Sequence, residues 1–113
     1  MKVAELITQL SLTAFTGKAG LDREIEGGYV SDLLSDVMGH SQAGQIWITL
    51  QTHKNVIAIA SLKDLSAVIL VKGNTPGEEA LAQAIEEGIP ILGTQMDTFE
   101  IAGRIYNLLR QPS

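Results

Sequence analysis

Two short apolar runs with a long crossover between them restrict the fold of this chain more than any other feature. Ile46, Trp47, Ile48, Thr49 and Leu50 form the first run, and Ala67 to Val71 form the second. Between them lie a polar corner, Gln51-Thr52-His53-Lys54-Asn55, and an apolar segment of helical length, Val56 to Leu62. Parallel strands need a crossover of about a dozen residues or more, usually a helix, so the stretch Gln45–Pro76 reads as strand, helix, strand. The first corner and its counterpart Lys72-Gly73-Asn74-Thr75-Pro76 then follow the carboxyl ends of their strands. Open α/β sheets take up ligands along that edge.

The flanking sequence fits the same scheme. Val3, Leu6, Ile7 and Leu10 recur at helical spacing and predict an amphipathic helix over 2–11. Leu12 to Phe15 read as a short strand closed by a loop holding Gly17 and Gly20. Residues 22–30 read as a second extended piece, where Gly27-Gly28 suggest a bulge or a close backbone approach. Ser31 is expected to cap a helix carrying Leu33, Leu34, Val37 and Met38 on one face, with Gly39 at its end. Thr75 and Pro76 are expected at the cap and first position of another helix, whose Glu78 and Glu79 face the positive end of the dipole. Ala80, Leu81, Ala84 and Ile85 form its buried stripe, and Gly88 ends it.

Ile89 to Gly93 read as a third buried strand, and Asp97 or Thr98 starts the last helix. That helix carries Phe99, Ile101, Ala102, Ile105, Leu108 and Leu109 before a frayed tail, Gln111–Ser113. The order β-α-β-α-β-α with short connections implies a parallel core with right-handed crossovers. The first half completes the sheet at its edge, with room for one antiparallel strand. The expected fold is α/β, a three-layer sandwich with a mainly parallel sheet of about five strands flanked by helices. It is expected to form a single domain over 1–113.

The residue balance narrows the function classes. Cysteine is absent, which excludes disulfides, thiolate chemistry and cysteine-ligated metal sites, and is compatible with a reducing cytoplasm. The net charge is -5, and the eight Lys and Arg residues are scattered, so no basic stripe can track a nucleic-acid backbone. The amino-terminal segment MKVAELITQLSLTAF lacks the continuous apolar core of a signal peptide, and no apolar run reaches the roughly 18 residues of a membrane span. The expected location is the cytoplasm, with neither membrane nor nucleic acid as partner.

Chemistry-bearing patterns are sparse. Neither a phosphate loop of the Gly-x-x-x-x-Gly-Lys-Ser/Thr kind nor a Gly-x-Gly-x-x-Gly turn occurs, and no serine sits in a Gly-x-Ser-x-Gly elbow. His40 and His53 are the two histidines; neither is matched with a carboxylate as a helical metal pair, and His40 reads as a helix-terminal residue. No catalytic residue, metal site or cofactor is expected. Three strand-end corners remain, and parallel strands would bring them to one rim. Candidate ligand-binding residues there are Thr52, His53, Lys54, Lys72, Gly73, Asn74, Thr75, Gly93 and Thr94. Gly73 and Gly93 would let backbone N–H groups approach an anion, Thr75 precedes a helix start, and His53, Lys54 and Lys72 bring positive charge. A small anionic ligand such as a nucleotide fits that set, although ordinary βα turns and caps draw on the same residue types. Trp47 belongs to the core if both sheet faces are covered. With one face bare, it and Tyr29 would mark a dimer interface.

The run from Asp22 to Met38, DREIEGGYVSDLLSDVM, resembles the DRTGG domain family, as do Trp47–Asn55 and Gly88–Thr94. The resemblance covers nearly the whole chain and is strongest to small stand-alone members from clostridia-like anaerobes, often encoded near iron-hydrogenase genes. It implies an α/β fold similar to the amino-terminal domain of the HPr kinase/phosphorylase, without that kinase's phosphate loop. Elsewhere the family's domain sits between nucleotide-sensing CBS modules or before phosphotransacetylase-like domains, as a regulatory and dimerising unit. The resemblance therefore implies a non-enzymatic regulatory or ligand-sensing domain, acting as a homodimer, with an adenine nucleotide as a candidate ligand. The alternative is a protein-interaction subunit of a hydrogenase or redox-signalling system; a phosphotransfer enzyme ranks below both. The namesake Asp-Arg and Thr-Gly-Gly positions correspond here to the neighbourhood of His53-Lys54-Asn55 and of Val71-Lys72-Gly73, where Gly73 alone is retained.

Overall fold

The structure, a computed structural model, describes residues 1–111. Its elements are α1 (Val3–Leu10), β1 (Thr13–Ala14), β2 (Gly27–Val30), α2 (Leu34–His40), β3 (Gln45–Thr49), α3 (Lys54–Leu62), β4 (Ala67–Leu70), α4 (Glu78–Glu87), β5 (Ile91–Gly93) and α5 (Thr98–Arg110). The strands form one sheet in the order β1-β5-β4-β3-β2. β2 to β5 are mutually parallel, and β1 pairs antiparallel with β5, Thr13 opposite Gly93.

Side-chain alternation along the strands builds two cores. Trp47, Val68, Leu70 and Ile91 pack on one face with Val37 of α2, Val56, Ile57 and Ala60 of α3, and Ala80 and Ala84 of α4. Ile46, Ile48, Ala67, Ile69 and Leu92 pack on the other with Val3 and Leu6 of α1 and Ile101 and Ile105 of α5. Helices on both faces explain why the inner strands read as unbroken apolar runs. The result is the three-layer α/β sandwich expected from the sequence. Trp47 is fully buried and donates its Nε1–H to Ser31 O at 2.8 Å, so it is a core residue.

Several local expectations are revised. Ser31 does not cap α2: its Oγ accepts from Leu33 N–H at 3.1 Å in a turn ahead of the helix, and Leu33 takes the cap position. Gly39 lies inside the last turn, and α2 ends at His40. Thr75 does not cap α4, because Gly77 N–H donates to Thr52 O at 3.2 Å and holds this segment extended until the helix starts at Glu78. Gly27 and Gly28 pair in plain register with Gln45 and Ile46, without a bulge. Asp97 caps α5 by accepting from Glu100 N–H at 2.9 Å, and Gly88 ends α4 in the left-handed conformation. Of the expected tail, Pro112 and Ser113 lie outside the described residues.

At the amino ends of the strands, Arg23 joins the two crossovers. Its Nε–H donates to Gly88 O at 3.1 Å, and its Nη1 reaches Asp64 at 3.3 Å and Leu65 O at 3.5 Å. One guanidinium thus satisfies backbone at the ends of both α3 and α4. Among the described residues, no helix is long and apolar enough to cross a membrane.

Candidate functional site

Because β3, β4 and β5 are parallel neighbours, their three polar corners meet at one rim, and β2 adds a fourth, Ser31-Asp32. Asp32 ties the β2 and β3 corners together. Its Oδ1 accepts from Thr49 Oγ1–H at 2.8 Å and from Leu50 N–H at 2.7 Å, while Gln51 Nε2–H donates to Asp32 O at 3.0 Å. The Thr49 hydroxyl is buried, so the carboxylate meets a group that water cannot reach.

The β3–β4 half of the rim is closed. Thr52 O is bonded to Gly77 N–H, and His53 caps α3 by accepting from Asn55 N–H on Nδ1 at 3.1 Å, which requires that nitrogen to be unprotonated. Lys54 Nζ lies 3.1 Å from Glu79 Oε2. The crevice beneath, between His53, Val56, Pro76 and Ala80, has only about 10 Å³, the size of one water. Thr52, His53 and Lys54 therefore each hold a partner within the fold.

Across β4, β5 and β1 the rim opens into a groove of about 410 Å³. Gly73, Asn74, Thr75, Gly93 and Thr94 line it, joined by Ser11, Thr13 and Gln95 and by the apolar Phe15 and Met96. The backbone here is already engaged: Lys72 N–H donates to Met96 O, and Gly73 N–H to Thr94 O, both at 2.9 Å. Gly73 is thus not an amide cradle for an anion. Lys72 and Gly73 are both left-handed, with φ 57° and 73°, a conformation that costs a lysine about 1–2 kcal/mol. A Cβ on Gly93 would sit 2.5 Å from the ring of Phe15, so that glycine makes room for an aromatic side chain. Asn74 Nδ2–H donates to Val71 O at 2.7 Å, and Thr94 Oγ1 accepts from Met96 N–H at 3.1 Å. The amino end of α4 meets its own Glu78 and Glu79. Chemically, the groove offers hydroxyls and amides beside apolar surface, with the exposed Lys72 as the nearby cation in sequence.

Five of the nine residues nominated from the sequence therefore share one groove, three lie in the closed half, and Lys72 sits between. Sequence reasoning missed Ser11, Thr13 and Asp32, and it placed Gln95 in the third polar corner without nominating it. The first two reach the rim through the antiparallel return of β1, which leaves no local sequence signal. Asp32 directly follows the expected cap Ser31, which assigned it to the first turn of a helix.

A second polar cluster joins β2 to α2. Tyr29 Oη–H donates to Asp36 Oδ2 at 2.9 Å, and His40 Nδ1 lies 3.3 Å from Asp36 Oδ1. Hydrogen bonds from the Ser31 and Tyr29 hydroxyls hold Asp36 below the usual carboxylate range, and desolvation followed by the Asp36 carboxylate raises Tyr29. The sequence reading pairs neither histidine with a carboxylate at helical metal-pair spacing, yet one helical turn places Asp36 beside His40. Two such groups are short of a metal site, and no group of three or more metal-ligating side chains occurs among the described residues.

Comparison with known proteins bears on the fold and the family. The HPr kinase/phosphorylase of Levilactobacillus brevis is 30% identical over 122 residues, covering 95% of this chain and 39% of that protein. The crystal structure of the CBS and DRTGG domains of the regulatory region of Clostridium perfringens pyrophosphatase, complexed with the activator diadenosine tetraphosphate, is similar with a TM-score of 0.67. The identity there is 19%, and the match covers 91% of this chain and 44% of that one. The chain thus spans less than half the length of either relative. The DRTGG domain matches residues 5–108, nearly the whole sequence. This chain belongs to the DRTGG domain family.

Proposed function

We propose that this chain is a non-enzymatic regulatory domain, a single unit over 1–113, which senses a small anionic ligand such as an adenine nucleotide and works as a cytoplasmic homodimer. The observation that carries the sensing role is the gathering of Gly73, Asn74, Thr75, Gly93 and Thr94 around one open groove. Its volume of about 410 Å³ falls within the range of small-molecule sites, roughly 300–1,000 Å³. Phe15 and Met96 offer apolar surface to a base, and Asn74, Thr75 and Gln95 offer hydrogen bonds. Lys72 answers a phosphate. The activator bound to the regulatory region of the Clostridium perfringens pyrophosphatase, whose fold this chain shares, supports a nucleotide as the ligand class.

Titration calorimetry with AMP, ADP, ATP and diadenosine tetraphosphate tests the sensing role. The expected result is saturable binding that weakens by about tenfold in Lys72→Ala, the loss of one charge-assisted contact. No heat from any of the four, with nothing copurifying, would overturn it. The alternative, a docking subunit of a hydrogenase or redox-signalling system, draws instead on α5, where Phe99 is 91% exposed.

A further inference from the structure

The outward face of α5 carries an unusual load of aromatic surface. Ile101 and Ile105 point into the core, fully buried, and directly opposite them Phe99, Gly103, Tyr106 and Arg110 form one ridge at helical spacing. Phe99 and Tyr106 are 91% and 64% exposed. The chain has only five aromatic residues, so this ridge displays two of them to water. Gly103 sits between them, and nothing lies within 4 Å of where a Cβ would be. Beside the ridge, between α5 and the free edge of β2, runs an apolar groove of about 430 Å³ with Val30, Ile48, Ala102, Tyr106 and Leu109 along it.

We infer that this ridge is the homodimer surface, paired antiparallel about a two-fold axis near Gly103, with each Phe99 seated in the partner copy's groove beside Tyr106. The inference rests on the homodimer reading above and names the surface that forms it. Three observations select a second copy as occupant. A projecting Phe99 and a receiving groove stand on opposite sides of Gly103 along one helix, so a two-fold operation brings each to the other. The charges of α5 are polarised, with Asp97 and Glu100 at its start and Arg110 in its last turn, while Arg104 at mid-helix pairs with Glu100 of its own chain at 2.9 Å. Antiparallel pairing sets the Arg110 end against the partner's acidic end and opposes the two helix dipoles, whereas parallel pairing would stack like charges. The missing Cβ at Gly103 lets the two helices approach closely at the crossing point.

The absence of cysteine provides a clean test. Gly103→Cys places one thiol on the expected axis, and mild oxidation should convert most of the protein to a disulfide-linked dimer. Leu62→Cys, also exposed but on α3, should remain uncrosslinked. In sedimentation the native chain should show twice its 12.1 kDa mass, and Phe99→Ser should weaken the dimer by about tenfold or more. Because Phe99 is so exposed within its own chain, the variant should keep the native circular-dichroism spectrum, and its melting point should fall only by what the lost dimer contributed. A native chain that sediments at 12.1 kDa at high micromolar concentration overturns the homodimer reading as a whole. A dimer that survives Phe99→Ser unchanged, without crosslinking at position 103, overturns this surface alone.

Discussion

On the β3–β4 side of the rim, Thr52, His53 and Lys54 are each bonded to a neighbouring segment, and about 10 Å³ of space remains. On the β4–β5–β1 side, residues of the same chemical types line about 410 Å³. The difference comes from what each strand is followed by. β3 and β4 both lead into helices on the same face, and α3 and α4 pack together, so their corners are pulled into contact. β5 leads instead to α5 on the opposite face, and its outer neighbour is the two-residue antiparallel β1. Among the described residues no second helix packs against α5 there as α4 does on α3, and the groove is lined by Leu10, Phe15 and Met96, with the ring of Phe15 lying over Gly93. Polar corner residues become a site where the topology leaves them uncovered.

Substitutions can break that contrast, beginning with the largest effect. Asp32→Ala strips the acceptor from the Thr49 hydroxyl and Leu50 N–H and should cost about 2–3 kcal/mol in urea unfolding. A loss below about 0.5 kcal/mol would mean that the closed half does not depend on this link. Gly93→Ala drives a methyl into Phe15 and should cost about 1–2 kcal/mol while also narrowing the open groove. Nucleotide affinity should fall with it; unchanged affinity would place the ligand elsewhere. His53→Ala removes a helix cap and should cost about 1 kcal/mol, recovered by His53→Asn, with calorimetric affinity left as it was.

Thr75→Ala should do the reverse, weakening nucleotide binding while stability stays within about 0.5 kcal/mol. The smallest effect is expected at the β2 end of the rim and appears only in acid. Asp36 is held below its ordinary value of 3.8 in the folded chain. Its contribution is therefore complete above that value and is lost as the pH falls through the lowered folded one. Ser31→Ala combined with Tyr29→Phe should flatten this acid limb in melts below about pH 4; an unchanged slope would assign the limb to other carboxylates.

Much of the architecture was legible from residue order alone. Apolar runs at 46–50, 67–71 and 89–93, separated by helix-length segments, specify parallel strands because no tight turn can join them. The corners could be nominated for the same reason. Capping was less legible: Ser31 and Thr75 are good caps by type, but Ser31 turns back on Leu33, and the Thr52–Gly77 bond postpones the start of α4. The Asp36–His40 pair and the reach of Asp32 to Thr49 depend on how α2 is docked against β2 and β3.

By itself, then, the sequence determined the α/β class, the parallel core, the common rim and the family, because periodicity and connection length act locally along the chain. Tertiary structure alone decided which part of the rim is open. That outcome depends on Thr13 pairing with Gly93 across 80 positions, on a side-chain ring filling the space above a glycine, and on α5 crossing to the far face. It also decided that Phe99 stands in solvent while Ile101, two residues on, is buried, since only the docked sheet defines the inward side of α5.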